Sequence, residues 1–241
     1  MRVPPVGAAS GLQHRRGRWT THRGGGEGGP VDVDEALPAT RIERLAVADL
    51  LDGLGPGEWE RASLCAGWTV HDVVAHMTWV TRLSLRSAVV GLVRARGDLD
   101  RLIAGSARER AARYAPEELV GQLRETAASP RRPPGTTVWD PLVDVLVHGQ
   151  DVARPLGREL VMPLRPVLGA LTHVWSTSTY GTPERFAGIR FRATDADWSA
   201  GHGGHEVSGP AGDLLLLSTG RAVALDAVQG AGDEVRRRLD A

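Results

Sequence analysis

Aspartate and histidine recur in one short stretch, DPLVDVLVHGQD at residues 140–151, at spacings that suit metal binding. A helix turns about 100° per residue, so Asp144, His148 and Asp151, at i, i+4 and i+7, fall on one line along its surface. Val143 and Val147 border that line on one side and Val145 and Val152 on the other. The polar sector is therefore only about a quarter of the circumference, against the half or more of a surface helix. The plainest reading of such a stripe is the wet face of an amphipathic helix. Its narrowness favours another, because ionisable groups within an apolar surround are costly unless they are paired or hold a metal. Far upstream, His76 shares a helical face with Val73, Val80 and Leu83. Alone it reads as a hydrogen-bonded core histidine. Set opposite Asp144 and His148, it completes two imidazoles and one carboxylate, a donor set that leaves coordination positions open, as catalytic metal sites do.

Helices must carry these groups. Pro141 suits a first helical turn and Asp140 before it an N-cap, so a helix is expected from there to Gly157-Arg158. Ile42, Leu45, Leu50 and Leu54 recur at helical spacing before Gly55-Pro56-Gly57. Thr69 caps a second helix, with Asp72 three residues on, and the pattern continues to about residue 94. Pro116, Glu117 and Glu118 open a third, to about residue 128, and the Pro-rich stretch 130–135 leads into the fourth. Four amphipathic helices with modest loops describe a bundle, in which metal sites are built between facing helices. A fifth helix is expected over 163–180, then strands near 189–194 and 206–209 and a short helix from Gly209-Pro210 to Ser218. The fold class is thus mainly α: a four-helix bundle over 37–160, then a linking helix and a small α+β unit over 161–241. Residues 1–36, rich in Gly, Arg and Pro without periodicity, read as a disordered tail. The segment GHGGH at 201–205 reads as a hairpin turn, since its histidines lack a third ligand. Arg221 falls at a junction between helices, either paired with a carboxylate such as Asp213 or free to bind an anion.

Composition narrows the function classes. The 29 basic residues balance 29 acidic ones, so no global field draws the chain to nucleic acid or to an anionic membrane, and a small-molecule substrate is the expected partner. Every basic residue is Arg, which excludes lysine-based catalysis. The single cysteine, Cys65, cannot form an intrachain disulfide and, beside Leu64 and Ala66, reads as a small packed residue. No apolar run is long enough to span a bilayer, and no apolar segment follows Arg15-Arg16 as an export signal requires. A cytoplasmic location is expected.

The run SLCAGWTVHDVVAH at 63–76 resembles the entry to the second helix of the mycothiol-dependent maleylpyruvate isomerase family, a branch of the DinB-like bundles. HGQDVARPLGR at 148–158 is similar to its fourth-helix signature, and Thr194-Asp195, Trp198, Gly209-Pro210-Ala211, Asp213-Leu214 and Thr219-Gly220-Arg221 are similar to its small C-terminal domain. The resemblance covers about residues 40 to 241. It implies a divalent metal, usually zinc, on His76, Asp144 and His148, with mycothiol as thiol cosubstrate. It implies Arg221 as a catalytic arginine near substrate. Asp151, one turn beyond His148, is placed to orient a ligand from behind. One position departs: the isomerase uses glutamate where this chain has Asp144, one methylene shorter. The function implied is thiol S-transfer or cis–trans isomerisation of a small electrophile. A non-catalytic metal or ligand binder and a zinc hydrolase are the alternatives.

Overall fold

The computed structural model describes residues 33–83, 90, 91 and 93–241. Helix α1 spans Val33–Asp52, α2 Pro56–Trp59, α3 Val70–Val80, α4 Leu99–Ala111, α5 Pro116–Glu125 and α6 Asp140–Ala153. Helix α1 packs on α5 and α6, and α3 packs on α4, α5 and α6. The expected four helices are α1, α3, α5 and α6. The local signals at α3 act as the sequence indicates: the Thr69 hydroxyl accepts from Asp72 N, and the Asp72 carboxylate accepts from Thr69 N at 2.9 Å.

The bundle differs from expectation in three main respects. Helix α1 begins at Val33, so 33–36 are helical instead of forming the end of a tail; Ala36 is fully buried, and residues 1–32 lie outside the described residues. Helix α3 ends at Val80, not near residue 94; Thr78 and Thr81 turn their hydroxyls back onto the Ala75 and Thr78 carbonyls, bonds that compete with helix continuation. Part of the expected continuation, 84–89 and 92, lies outside the described residues. Helix α4 was not expected at all, because only Leu102 and Ala107 within it are buried, too few for an apolar stripe. Its signal is the N-cap Asp98, whose carboxylate accepts from Arg101 N at 2.9 Å.

Helix α7, Leu164–Ser176, and short α8, Thr182–Arg185, lead into the smaller unit. There β1 (Ile189–Ala193), β2 (Ser199–Gly201), β3 (His205–Gly209) and β4 (Gln229–Gly230) form a sheet of order β2-β1-β3-β4. Strand β1 is antiparallel to β2 and parallel to β3. GHGGH is therefore no hairpin turn: it carries the chain from one side of β1 to the other. Its glycines permit this crossing, since a Cβ at Gly203, with φ +140°, would lie 2.1 Å from the Gly188 carbonyl oxygen. His202 and His205 are exposed. Helix α9, Ala211–Ser218, buries Leu214, Leu215, Leu216 and Leu217 completely, against α7 on one side and the 3₁₀ turn Ala222–Ala227 and sheet on the other. Buried side chains of the bundle, α7, sheet and α9 make one continuous core. Helix α10, Gly232–Asp240, closes the chain.

Asp140 is the first residue of α6, not its N-cap, which is Trp139. Its carboxylate accepts from Thr137 N, from the Tyr180 hydroxyl at 2.9 Å and from His173 Nε2 at 3.2 Å, tying the start of α6 to α7 and the segment after it. Burial raises its pKa, but the bonds from His173, Thr137 and Tyr180 prevail and hold it at about 2. Since the unfolded value is near 3.9, the folded state binds fewer protons, and this contribution is present above about pH 4 and lost as pH falls towards 2. Asp140→Asn should remove about 2 kcal/mol of stability at pH 7 and flatten the acid limb of a denaturation-versus-pH curve, measured by urea titration. A second test concerns Gly149, where a Cβ would lie 2.8 Å from Leu160 Cδ2 and 3.1 Å from Val47 Cγ2. Gly149→Val overpacks the contact between α1 and α6 and should cost about 1–3 kcal/mol, seen as a lowered Tm.

Candidate metal centre

The stripe on α6 survives in modified form. Asp140, Asp144 and His148 are partly exposed, at i, i+4 and i+8, whereas Asp151 is wholly buried and the rest of the helix circumference is core. Across from it, α3 presents His76, which is 7% exposed. Asp144 Oδ1 lies 3.4 Å from His76 Nε2 and 3.6 Å from His148 Nε2, and the two imidazole centroids are 5.0 Å apart at a near-perpendicular angle. Ligand atoms of the three residues all fall within 4.8 Å of one another. These separations are long for direct hydrogen bonds. They approach the about 3.4 Å that separates neighbouring ligands at tetrahedral angles around an ion bound at 2.0–2.1 Å. The shorter carboxylate of Asp144 thus still reaches between both rings. A divalent metal fits this donor set. Trp68 and Trp79 flank the His76 ring at 5.5 and 6.1 Å, adding aromatic walls.

Asp151 lies behind His148. Its Oδ2 is 2.8 Å from His148 Nδ1, 2.7 Å from Arg221 Nη2 and 3.1 Å from Cys65 Sγ, while Oδ1 accepts from Arg221 Nε at 3.1 Å. Burial raises the Asp151 pKa, but the charge of Arg221 and the bonds from His148 and Arg221 hold it far below the usual carboxylate range. An ionised carboxylate only accepts, so His148 Nδ1 carries a hydrogen, and Nε2, which faces Asp144, is the nitrogen left to give up its proton to an incoming ion. For Asp144 too, burial is outweighed, here by His76, His148 and buried Arg44, and its pKa is lowered. Arg44 is 3% exposed and donates to the carbonyls of Thr126, Ala127 and Ser129, closing the end of α5. In the metal-free protein, burial lowers the His148 pKa, but Asp151, Cys65 and Asp144 outweigh it and raise it to about 10.

Two residues are placed otherwise than expected. Arg221 stands beside the centre, but its partner is Asp151; Asp213 pairs instead with Arg154 at 2.7 Å. With Nη1 donating to the Thr219 carbonyl, all three nitrogens of Arg221 are engaged, and it acts on the centre by holding Asp151. Cys65 is no mere packing residue: its thiol donates to Asp151 and lies 3.8 Å from His148 Nδ1 and 3.7 Å from Arg221 Nη2. Sequence reasoning missed this because the loop before α3 gives no periodic cue. The loop is held there by a backbone bond from Leu64 N to the Asp151 carbonyl.

Residues 40–130 match the family profile of the mycothiol maleylpyruvate isomerase N-terminal domain, a span that includes His76 and stops short of Asp144 and His148. No curated protein shows a significant match to the chain. Among solved structures, the mycothiol-dependent maleylpyruvate isomerase superposes with a TM-score of 0.51, and a histidine-to-alanine mutant of it with 0.56. Each shares 15% sequence identity, over 83% of this chain and 93% of that one. These likenesses establish the DinB-like fold.

The pairing of Arg221 with Asp151 can be measured. Arg221→Ala strands a carboxylate with no exposed surface, and should destabilise the protein by about 3–5 kcal/mol in chemical denaturation. A double-mutant cycle with Asp151→Asn should give a coupling energy above about 1 kcal/mol; additive effects would mean that the two do not support each other.

Proposed function

Because residues 40–130 match the profile of the mycothiol maleylpyruvate isomerase N-terminal domain, we propose that the chain is a metal-dependent thiol enzyme, using mycothiol for S-transfer to, or cis–trans isomerisation of, a small electrophile. The observation that carries this is the convergence of His76, Asp144 and His148 from two helices on one point, with Asp151 orienting His148 from behind. Two neutral imidazoles and a carboxylate favour zinc over harder ions. When bound, such an ion supplies the charge that keeps a thiol ionised at neutral pH.

The chain's own residues prepare that chemistry. Arg221 keeps Asp151 ionised; Asp151 fixes the His148 tautomer, leaving Nε2 as a donor atom. Trp68 and Trp79 restrict water around His76. A thiolate held there would add its sulfur to one carbon of an activated double bond, the π pair moving to the neighbouring carbon. If that carbon then took a proton from solvent, the C–S bond would persist and the outcome would be transfer; if, after rotation about the former double bond, the sulfur left again with its bonding pair, the double bond would re-form and the outcome would be isomerisation. The single cysteine, free of any disulfide, agrees with a cytoplasmic site of action.

Zinc content and thiol consumption test the reading together. His76→Ala, Asp144→Ala or His148→Ala should each reduce bound zinc well below one per chain after dialysis, measured by elemental analysis. The unsubstituted zinc-loaded protein should accelerate mycothiol loss with electrophilic alkenes, and a chelator should abolish the acceleration. Mycothiol loss at the uncatalysed rate across such acceptors, with zinc bound, would overturn the assignment.

A further inference from the structure

Arg221 is fully engaged, yet a second arginine stands beside it. Arg185 ends α8, and that short helix is fixed to the end of α9 by a hydrogen bond from the Thr182 hydroxyl to the Ser218 carbonyl at 2.9 Å. A Cβ placed on Gly220, the residue before Arg221, would lie 3.7 Å from Arg185 Nη1, so both guanidinium groups meet at the segment 219–221. Arg185 is only partly exposed, and its guanidinium carbon sits 5.9 Å from the Phe186 ring. Among the described residues, no carboxylate pairs with it and its side chain donates to no acceptor. Burial, and then the charge of Arg221, both oppose its positive charge. Asp151, the carboxylate that Arg221 holds, already has both oxygens occupied.

The charge of Arg221 is balanced by Asp151, whereas among the described residues no carboxylate balances that of Arg185 beside it. Positive charge gathered in a partly desolvated place without a counter-charge is unfavourable unless an anion joins it. A guanidinium with its fork free matches a carboxylate in two parallel bonds.

The geometry points to Arg185 as the residue that selects a carboxylate-bearing acceptor, taking the acceptor's carboxylate on its free guanidinium while Arg221 remains on Asp151. This rests on the thiol-enzyme reading for the word acceptor, but the binding step stands on its own. Calorimetric titration of the zinc-loaded, full-length protein with fumarate, and with the uncharged fumaramide, separates the two. Fumarate should bind more tightly than fumaramide. Arg185→Ala should weaken fumarate about tenfold to a hundredfold, the loss of charged hydrogen bonds, with zinc content unchanged. Arg185→Lys should recover part of the affinity. If Arg185→Ala does not fold, Arg185→Gln is read in its place with the same expectation. Equal fumarate affinity in the protein with and without Arg185, or no preference for fumarate over fumaramide, overturns the inference. Fumarate binding through Arg185 in a protein that consumes no thiol would uphold the inference and remove the enzyme assignment.

Discussion

The carboxylate of Asp151 is where the molecule is tied together. It has no exposed surface, and a buried charge of this kind persists only when its lone pairs are satisfied. Its donors come from three places: His148 on its own helix, Cys65 on the loop before α3, and Arg221 from beyond α9. Each is drawn in by the same charge. The loop is thereby held against α6, the smaller unit is fixed over the end of the bundle, and one imidazole is turned towards Asp144. The arrangement stabilises the fold and shapes the candidate metal centre through one charge.

That dependence explains how the candidate metal centre can sit at the rim of an apolar bundle. Asp144 and His148 are partly open to solvent, while Asp151, which orients His148, is buried and holds its geometry. Arg44 contributes from the opposite direction. It closes the C-terminal carbonyls of α5, and its charge lowers the Asp144 pKa alongside the two histidines. A helix cap and part of the electrostatics of the centre therefore reside in one side chain.

Much of this was legible in the sequence, because it rests on local rules. The i, i+4 spacing of Asp144 and His148 puts both on one face whatever surrounds the helix, and the Thr69 and Asp72 pair fixes the start of α3 and so the direction of His76. Alternation revealed β1 through Ile189, Phe191 and Ala193. What escaped depends on long-range contacts. Helix α4 buries too little to write a pattern, and β2 and β4 are too short to do so. Nothing local tells Cys65 from a packed cysteine or chooses Asp151 over Asp213 as the partner of Arg221. Those pairings are set by how the smaller unit docks, and only the folded chain shows it.

Helix α9 carries a consequence of another kind. Four successive leucines, all buried, make it an interior helix between α7 and the sheet. The change of architecture after the bundle is therefore not a place where the chain could be cut. Severed there, either fragment would present bare hydrocarbon to water and invite aggregation. A bundle without the smaller unit would need a different cover over α7.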